Sequence, residues 1–167
     1  WAVSIALERK GEIIAAVIYD PAKDEMFVSE KGAGAWMNDR RLRVSGRRDF
    51  IEMIFATGVP FASSKKLPQT LKELAHLMPR CAGVRRWGAA SLDLAYVAAG
   101  RFDAFFEYGL NPWDVAAGAF LVQQAGGKAV DFSGGPDFVY GREMVATNAA
   151  IYSDFMDMLG NYFPPKS

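Results

Sequence analysis

Few residues in this chain are able to do chemistry. Histidine occurs once, as His76, and cysteine once, as Cys81. A disulfide framework and a zinc site of the Cys/His type are therefore excluded within the chain. A Ser-His-Asp triad would have to use His76 as its base. His76 lies between Leu71 and Met78, where Leu71, Leu74, Leu77 and Met78 recur on one side of an amphipathic helix, so a surface histidine is the plainer reading. Cys81 reads as a small space-filling residue. Chemistry must then rest on carboxylates, backbone amides and a hard cation.

Three places fit that description, each at a junction of strand and helix, the edge where open α/β sheets bind ligands. The first is Gly88-Ala89-Ala90-Ser91. Small residues at a helix start leave backbone N–H groups uncovered, so an anion or a hydroxyl can approach. A helix start packed tightly on a sheet would use the same residues, and both readings stand. The second is Glu107, ending an apolar strand. Its carboxylate could accept hydrogen bonds from a polyol, or be a solvated strand end. The third is Asp114, in Asn111-Pro112-Trp113-Asp114. Asn111 is a good N-cap and Pro112 suits the first helical position. Asp114 falls in the first turn, beside the positive end of the helix dipole. It either caps its own backbone or offers one oxygen ligand to a cation such as Mg²⁺, which needs several such ligands in octahedral array.

The elements that position these groups follow from hydrophobic patterning. Residues 1–45 read as an antiparallel meander. Strands are expected at 1–7, at 13–19, at 25–30 (with Met26 and Val28 on one face), at 35–37 and at 42–44. Lys31-Gly-Ala-Gly34 lacks P-loop spacing and a following helix, so it reads as a bend or bulge. A composition shift at 45–49 marks a subdomain boundary, dividing 1–48 from 49–167. Beyond it strands and helices alternate: strand 50–55, loop 57–66, helix 67–78, strand 83–87, helix 88–99, strand 102–107, helix 112–125, strands 128–132 and 143–147, helix 149–159. Such alternation predicts an α/β layered subdomain. Trp1 opens on a strand already under way, and residues are expected before it.

At 167 residues, half of them hydrophobic, the chain is long enough for a real core. Lysine plus arginine and aspartate plus glutamate number 19 each, so formal charge is zero and gives no electrostatic case for a polyanionic partner. No apolar run reaches the length of a membrane span.

Trp113-Asp-Val-Ala-Ala-Gly118, followed by Leu121-Val122 and Ala125-Gly-Gly127, resembles the C-terminal signature of the inositol monophosphatase family. Val3-Ser-Ile-Ala-Leu7, Tyr19-Asp-Pro21, Gly32-Ala-Gly-Ala-Trp36 and Gly88 through Gly100 are similar to its bacterial branch. The resemblance implies an αβαβα sandwich and a cytoplasmic, homodimeric, Mg²⁺-dependent phosphatase acting on a small phosphorylated polyol, most simply myo-inositol monophosphate. Histidinol phosphate, fructose-1,6-bisphosphate and 3′-phosphonucleotides are the alternative substrates. It implies that Asp114 is a catalytic metal ligand beside the substrate, and that the metals polarise the phosphate and activate a water for in-line attack. It places Gly88, Ala89, Ala90 and Glu107 against substrate hydroxyls. Ala89 departs from the hydroxyl-bearing residue often found there, and Gln124 from a frequent Glu, read as a helix-surface change. The family's upstream Gly-Glu-Glu and Asp-Pro-Xaa-Asp-Gly-Thr elements have no match, which leaves this chain with one metal ligand and an expectation of no activity by itself. Some relatives bind RNA or transcription complexes, a role that Arg40, Arg41, Arg43, Arg47, Arg48, Arg85 and Arg86 could support.

Overall fold

The computed structural model describes residues 1–59 and 65–161. Five strands make the first sheet in the order β1-β2-β3-β4-β5: β1 (Val3–Arg9), β2 (Glu12–Asp20), β3 (Glu25–Glu30), β4 (Gly34–Met37) and β5 (Arg40–Arg41). All pairings are antiparallel, as a meander with short turns requires. The glycine stretch is the bend that its composition predicts, with Gly32 and Gly34 both at φ +79°.

The second sheet is mixed, in the order β7-β6-β8-β10-β9. It contains β6 (Ile54–Thr57), β7 (Gly83–Arg85), β8 (Ala104–Tyr108), β9 (Lys128–Val130) and β10 (Glu143–Thr147). β6 runs parallel to both β7 and β8, and β10 is antiparallel to β8 and β9. Four helices complete the fold: α1 (Leu67–Leu77), α2 (Ala90–Ala98), α3 (Pro112–Gln124) and α4 (Tyr152–Gly160).

The helices form two layers. α2 and α3 lie between the sheets, and their apolar residues share one core with Ile18 and Phe27 of the first sheet and Phe105 and Met144 of the second. This position explains why both are apolar on every side. Gly118 is where they touch: a Cβ there would collide with Leu94. α1 and α4 cover the far face of the second sheet, where Phe55 stacks on Phe155 with centroids 5.4 Å apart. The layers are therefore sheet, helices, sheet, helices, an α+β layered fold. The outer face of the first sheet is uncovered among the described residues. Val3, Ile5 and Leu7 are 47%, 59% and 56% exposed there.

Met26 and Val28 share a face as expected; it is the outer one, and Phe27 fills the core. Other sequence expectations need correction. Residues 42–44 are not a strand; the last strand is β5, and the chain then leaves the sheet. The Leu42 N–H donates to Ala35 and the Val44 N–H to Ala125 at the end of α3. Phe50–Glu52 is a 3₁₀ turn rather than the start of a strand. The cause is tertiary. Asp103, fully buried, accepts hydrogen bonds from Ser45 Oγ, from Arg47 and from the Ile54 N–H, and so fixes how residues 45–54 enter the second sheet. In α1 the buried positions are Thr70, Glu73 and Leu77, whereas Leu71 and Met78 are exposed. Of the loop expected at 57–66, residues 60–64 lie outside the described residues.

Candidate active-site cleft

Two strand-to-helix crossings converge at one edge of the second sheet. β7 leads through Arg86 to Gly88 into α2, and β8 leads through Gly109 to Asn111 into α3. Both helix N-termini, with their free N–H groups and positive dipole ends, meet a cleft of about 660 Å³. Gly88, Ala89, Ala90, Glu107 and Asp114 all line it, although they come from three separate places in the sequence. Gly58, Ser91, Arg86 and Arg142 line it too, and Ala2 joins from the first sheet's side.

Gly88 adopts φ +82°, a conformation that glycine takes without strain, and this turns the chain from β7 into α2. Ala89 is the N-cap and carries no capping side chain; the Leu92 and Asp93 N–H groups both donate to its carbonyl at 3.0 Å. Of the two readings of this stretch, the tight packing is present at Ala90 and Ser91, which are buried, while Gly88 is exposed.

Asp114 does cap its helix. Its Oδ2 accepts from the Asn111 N–H at 2.8 Å. Capping uses one oxygen and leaves Oδ1 for another partner, so the two readings of Asp114 are compatible. The turn before it is fixed by Arg142, which donates to Asn111 Oδ1 at 2.9 Å and to the Gly109 carbonyl at 2.7 Å. Ser4 Oγ donates to the Trp113 carbonyl at 3.0 Å and ties β1 to the same helix turn.

Glu107 is half-buried. Burial raises its pKa to about 7, against the attraction of Arg86 and with the repulsion of Asp114. Its carboxylate lies where a side chain at Gly58 would have to go. Asp93, buried beneath the first turn of α2, is likewise pushed to about 7, by burial and then by Glu107. Gly58, Arg86 and Arg142 are cleft residues that the sequence reading did not place. A glycine straight after an apolar strand was the available signal for Gly58; nothing local marked Arg142. Gln124 is more than a surface change, because its Oε1 accepts from the Gly32 N–H at 3.0 Å. His76 has no part in the cleft, and Cys81 is buried.

The donor set does not make a complete divalent-cation site. Among the described residues no three His, Cys, Asp or Glu side chains are grouped to hold a metal. Asp114 and Glu107 are the carboxylates lining the cleft, short of an octahedral oxygen shell.

The sequence model of the inositol monophosphatase family matches residues 1–160. The chain belongs to the inositol monophosphatase family. It is 50% identical over 151 residues to an inositol-1-monophosphatase of Mesorhizobium japonicum, covering 90% of this chain and 57% of that protein. It is 46% identical over 167 residues to the Nus factor SuhB of Pseudomonas aeruginosa, covering 99% of this chain and 62% of that protein. The crystal structure of the extragenic suppressor protein suhB from Bartonella henselae superimposes with a TM-score of 0.92 at 46% identity, over 97% of this chain and 63% of that one. The chain thus spans about three-fifths of the length of the relatives it matches. No helix among the described residues is long and apolar enough to cross a membrane.

Proposed function

We propose that this chain forms part of a Mg²⁺-dependent phosphatase for a small phosphorylated polyol, with myo-inositol monophosphate as its substrate. The observation that carries this reading is the convergence of Gly88, Ala89, Ala90, Glu107 and Asp114 on one cleft between two helix N-termini. A phosphate is favoured where two such ends meet. Asp114 is the catalytic residue and a metal ligand through its free oxygen, held rigid by its bond to Asn111. Its further metal partners would come from the part of the longer protein that this chain does not span. Glu107 accepts from a substrate hydroxyl, and the exposed backbone at Gly88, with the small side chains of Ala89 and Ala90 beside it, gives a polyol ring room to approach. On this reading 1–48 and 49–167 are two subdomains of a cytoplasmic homodimer, with the cleft built mainly on the second. The test is phosphate release by the full-length protein with Mg²⁺ from inositol 1-phosphate, histidinol phosphate, fructose-1,6-bisphosphate and a 3′-phosphonucleotide. The inositol ester is expected to be preferred; release from none of the four sinks the reading.

A second reading is a regulatory role with RNA or transcription machinery. Relatives bearing the name Nus factor support it, as do the exposed Arg40, Arg41, Arg85 and Arg86. Zero net charge weighs against strong electrostatic binding. Salt-sensitive retention of RNA by the full-length protein would favour this reading; no retention at low salt would remove it.

A further inference from the structure

Arg86 and Gly88 line the cleft, and Trp87 between them does not. Trp87 packs instead against α2 and the chain that follows it. Its ring meets Tyr96 edge-on at 4.7 Å and Phe102 at 5.5 Å. Above it stands Lys23, from the turn between β2 and β3, with Nζ 4.4 Å from the Trp87 centroid and 5.0 Å from that of Tyr96. The same ammonium donates to Tyr96 Oη at 2.6 Å. Tyr96 is buried and held in turn. Arg101 lies over its ring at 4.4 Å while donating to both oxygens of Glu25 at 2.7 and 2.6 Å. The β2–β3 turn is itself ordered, since Asp20, 4% exposed, accepts from the Ala22 N–H at 3.0 Å.

The cluster therefore joins the first sheet to the segment that carries the cleft's backbone wall. Gly88, at φ +82°, gives that segment little stiffness of its own. We propose that Lys23, clamped on Trp87 and Tyr96, is a positioning residue that fixes the Gly88–Ala90 wall of the cleft from the first sheet. This rests on the function proposed above for its catalytic consequence, though not for its structural one. The ammonium acts without touching the cleft. It holds the indole by cation–π attraction and Tyr96 by a hydrogen bond, and so sets where the peptides on either side of Trp87 lie. A shift of those peptides would alter how a polyol fits and leave the attack on phosphorus alone.

The amides of Leu92 and Asp93 report directly on this wall, because both bond to the Ala89 carbonyl. The Ala125 amide, bonded to Leu121 at the end of α3 and away from the Lys23 cluster, is the internal control. In the full-length protein, Lys23→Met is expected to speed hydrogen exchange at Leu92 and Asp93 by about tenfold, from loss of the cation–π contact and the hydrogen bond together. Exchange at Ala125 should stay unchanged, and Lys23→Arg should restore protection. With inositol 1-phosphate, Lys23→Met is expected to raise KM severalfold with kcat within about twofold, the pattern of lost positioning rather than lost transition-state chemistry. Unchanged exchange at Leu92 and Asp93, or an equal rise at all three amides, overturns the proposal. Should the wild-type protein hydrolyse none of the phosphate esters, the functional reading fails, and the exchange measurement still decides the clamp.

Discussion

Glu107 occupies the space that any side chain at Gly58 would need. Gly58→Ala should therefore displace the carboxylate and raise KM for a polyol phosphate by about tenfold, a loss of one hydrogen bond to a charged group; steady-state kinetics on the full-length protein would check it. Glu73 offers a separate test of how burial acts on a carboxyl. It is fully buried, neither oxygen has a hydrogen-bond partner among the described residues, and desolvation raises its pKa from 4.5 to about 8. Between those values the folded state keeps a proton that the unfolded chain has released. Glu73 therefore stabilises the fold most below pH 4.5, and that contribution fades as pH rises toward about 8. Thermal melts from pH 5 to 9 should show Glu73→Gln matching the wild type at the acid end and melting higher at the alkaline end. Parallel curves would contradict the burial account.

At the scale of elements, the contact between α2 and α3 sets the spacing of the helix starts that frame the cleft. A methyl at Gly118 would strike Leu94, so Gly118→Ala should cost about 1–3 kcal/mol through overpacking, measurable by urea denaturation. Much of this level was legible in the sequence. Asn111-Pro112 and Gly126-Gly127 bracket α3 because their preferences are local, and β3 alternates cleanly between its two faces. The failures have a common cause. Residues 50–52 carry strand-forming side chains, but the Asp103 carboxylate, 49 positions beyond Ile54, dictates where the strand begins. In α1 the apolar pattern pointed to Leu71 and Met78, whereas tertiary packing buries Thr70 and Glu73. Among cleft residues, Asp114 could be read from capping chemistry and Gly88, Ala89 and Ala90 from small residues at a helix start. Arg142 could not, because its contacts with Gly109 and Asn111 are distant in sequence.

At the scale of the molecule, the first sheet has one face on α2 and α3 and the other uncovered among the described residues. Strand pairing lines up Ile5, Val17, Val28 and Trp36 across that outer face, with Leu7 and Met26 beside them. An exposed apolar surface of this extent marks an interaction surface or an association hazard. Residues 1–167 produced alone should bind a hydrophobic dye and self-associate, and Ile5→Lys combined with Leu7→Lys should abolish both; sedimentation and dye fluorescence would show it. A dye-free monomer would mean that the face is satisfied in some other way. The functional account rests on Asp114, which lines the cleft and caps α3 with one oxygen, leaving the other for the proposed metal. Its most direct test is Mg²⁺-dependent phosphate release from inositol 1-phosphate by the full-length protein and its Asp114→Asn variant. The account predicts a Mg²⁺-dependent wild-type rate that falls by more than the roughly 10–100-fold typical of losing an outer-shell partner. A variant with the wild-type rate and the same Mg²⁺ dependence would contradict it.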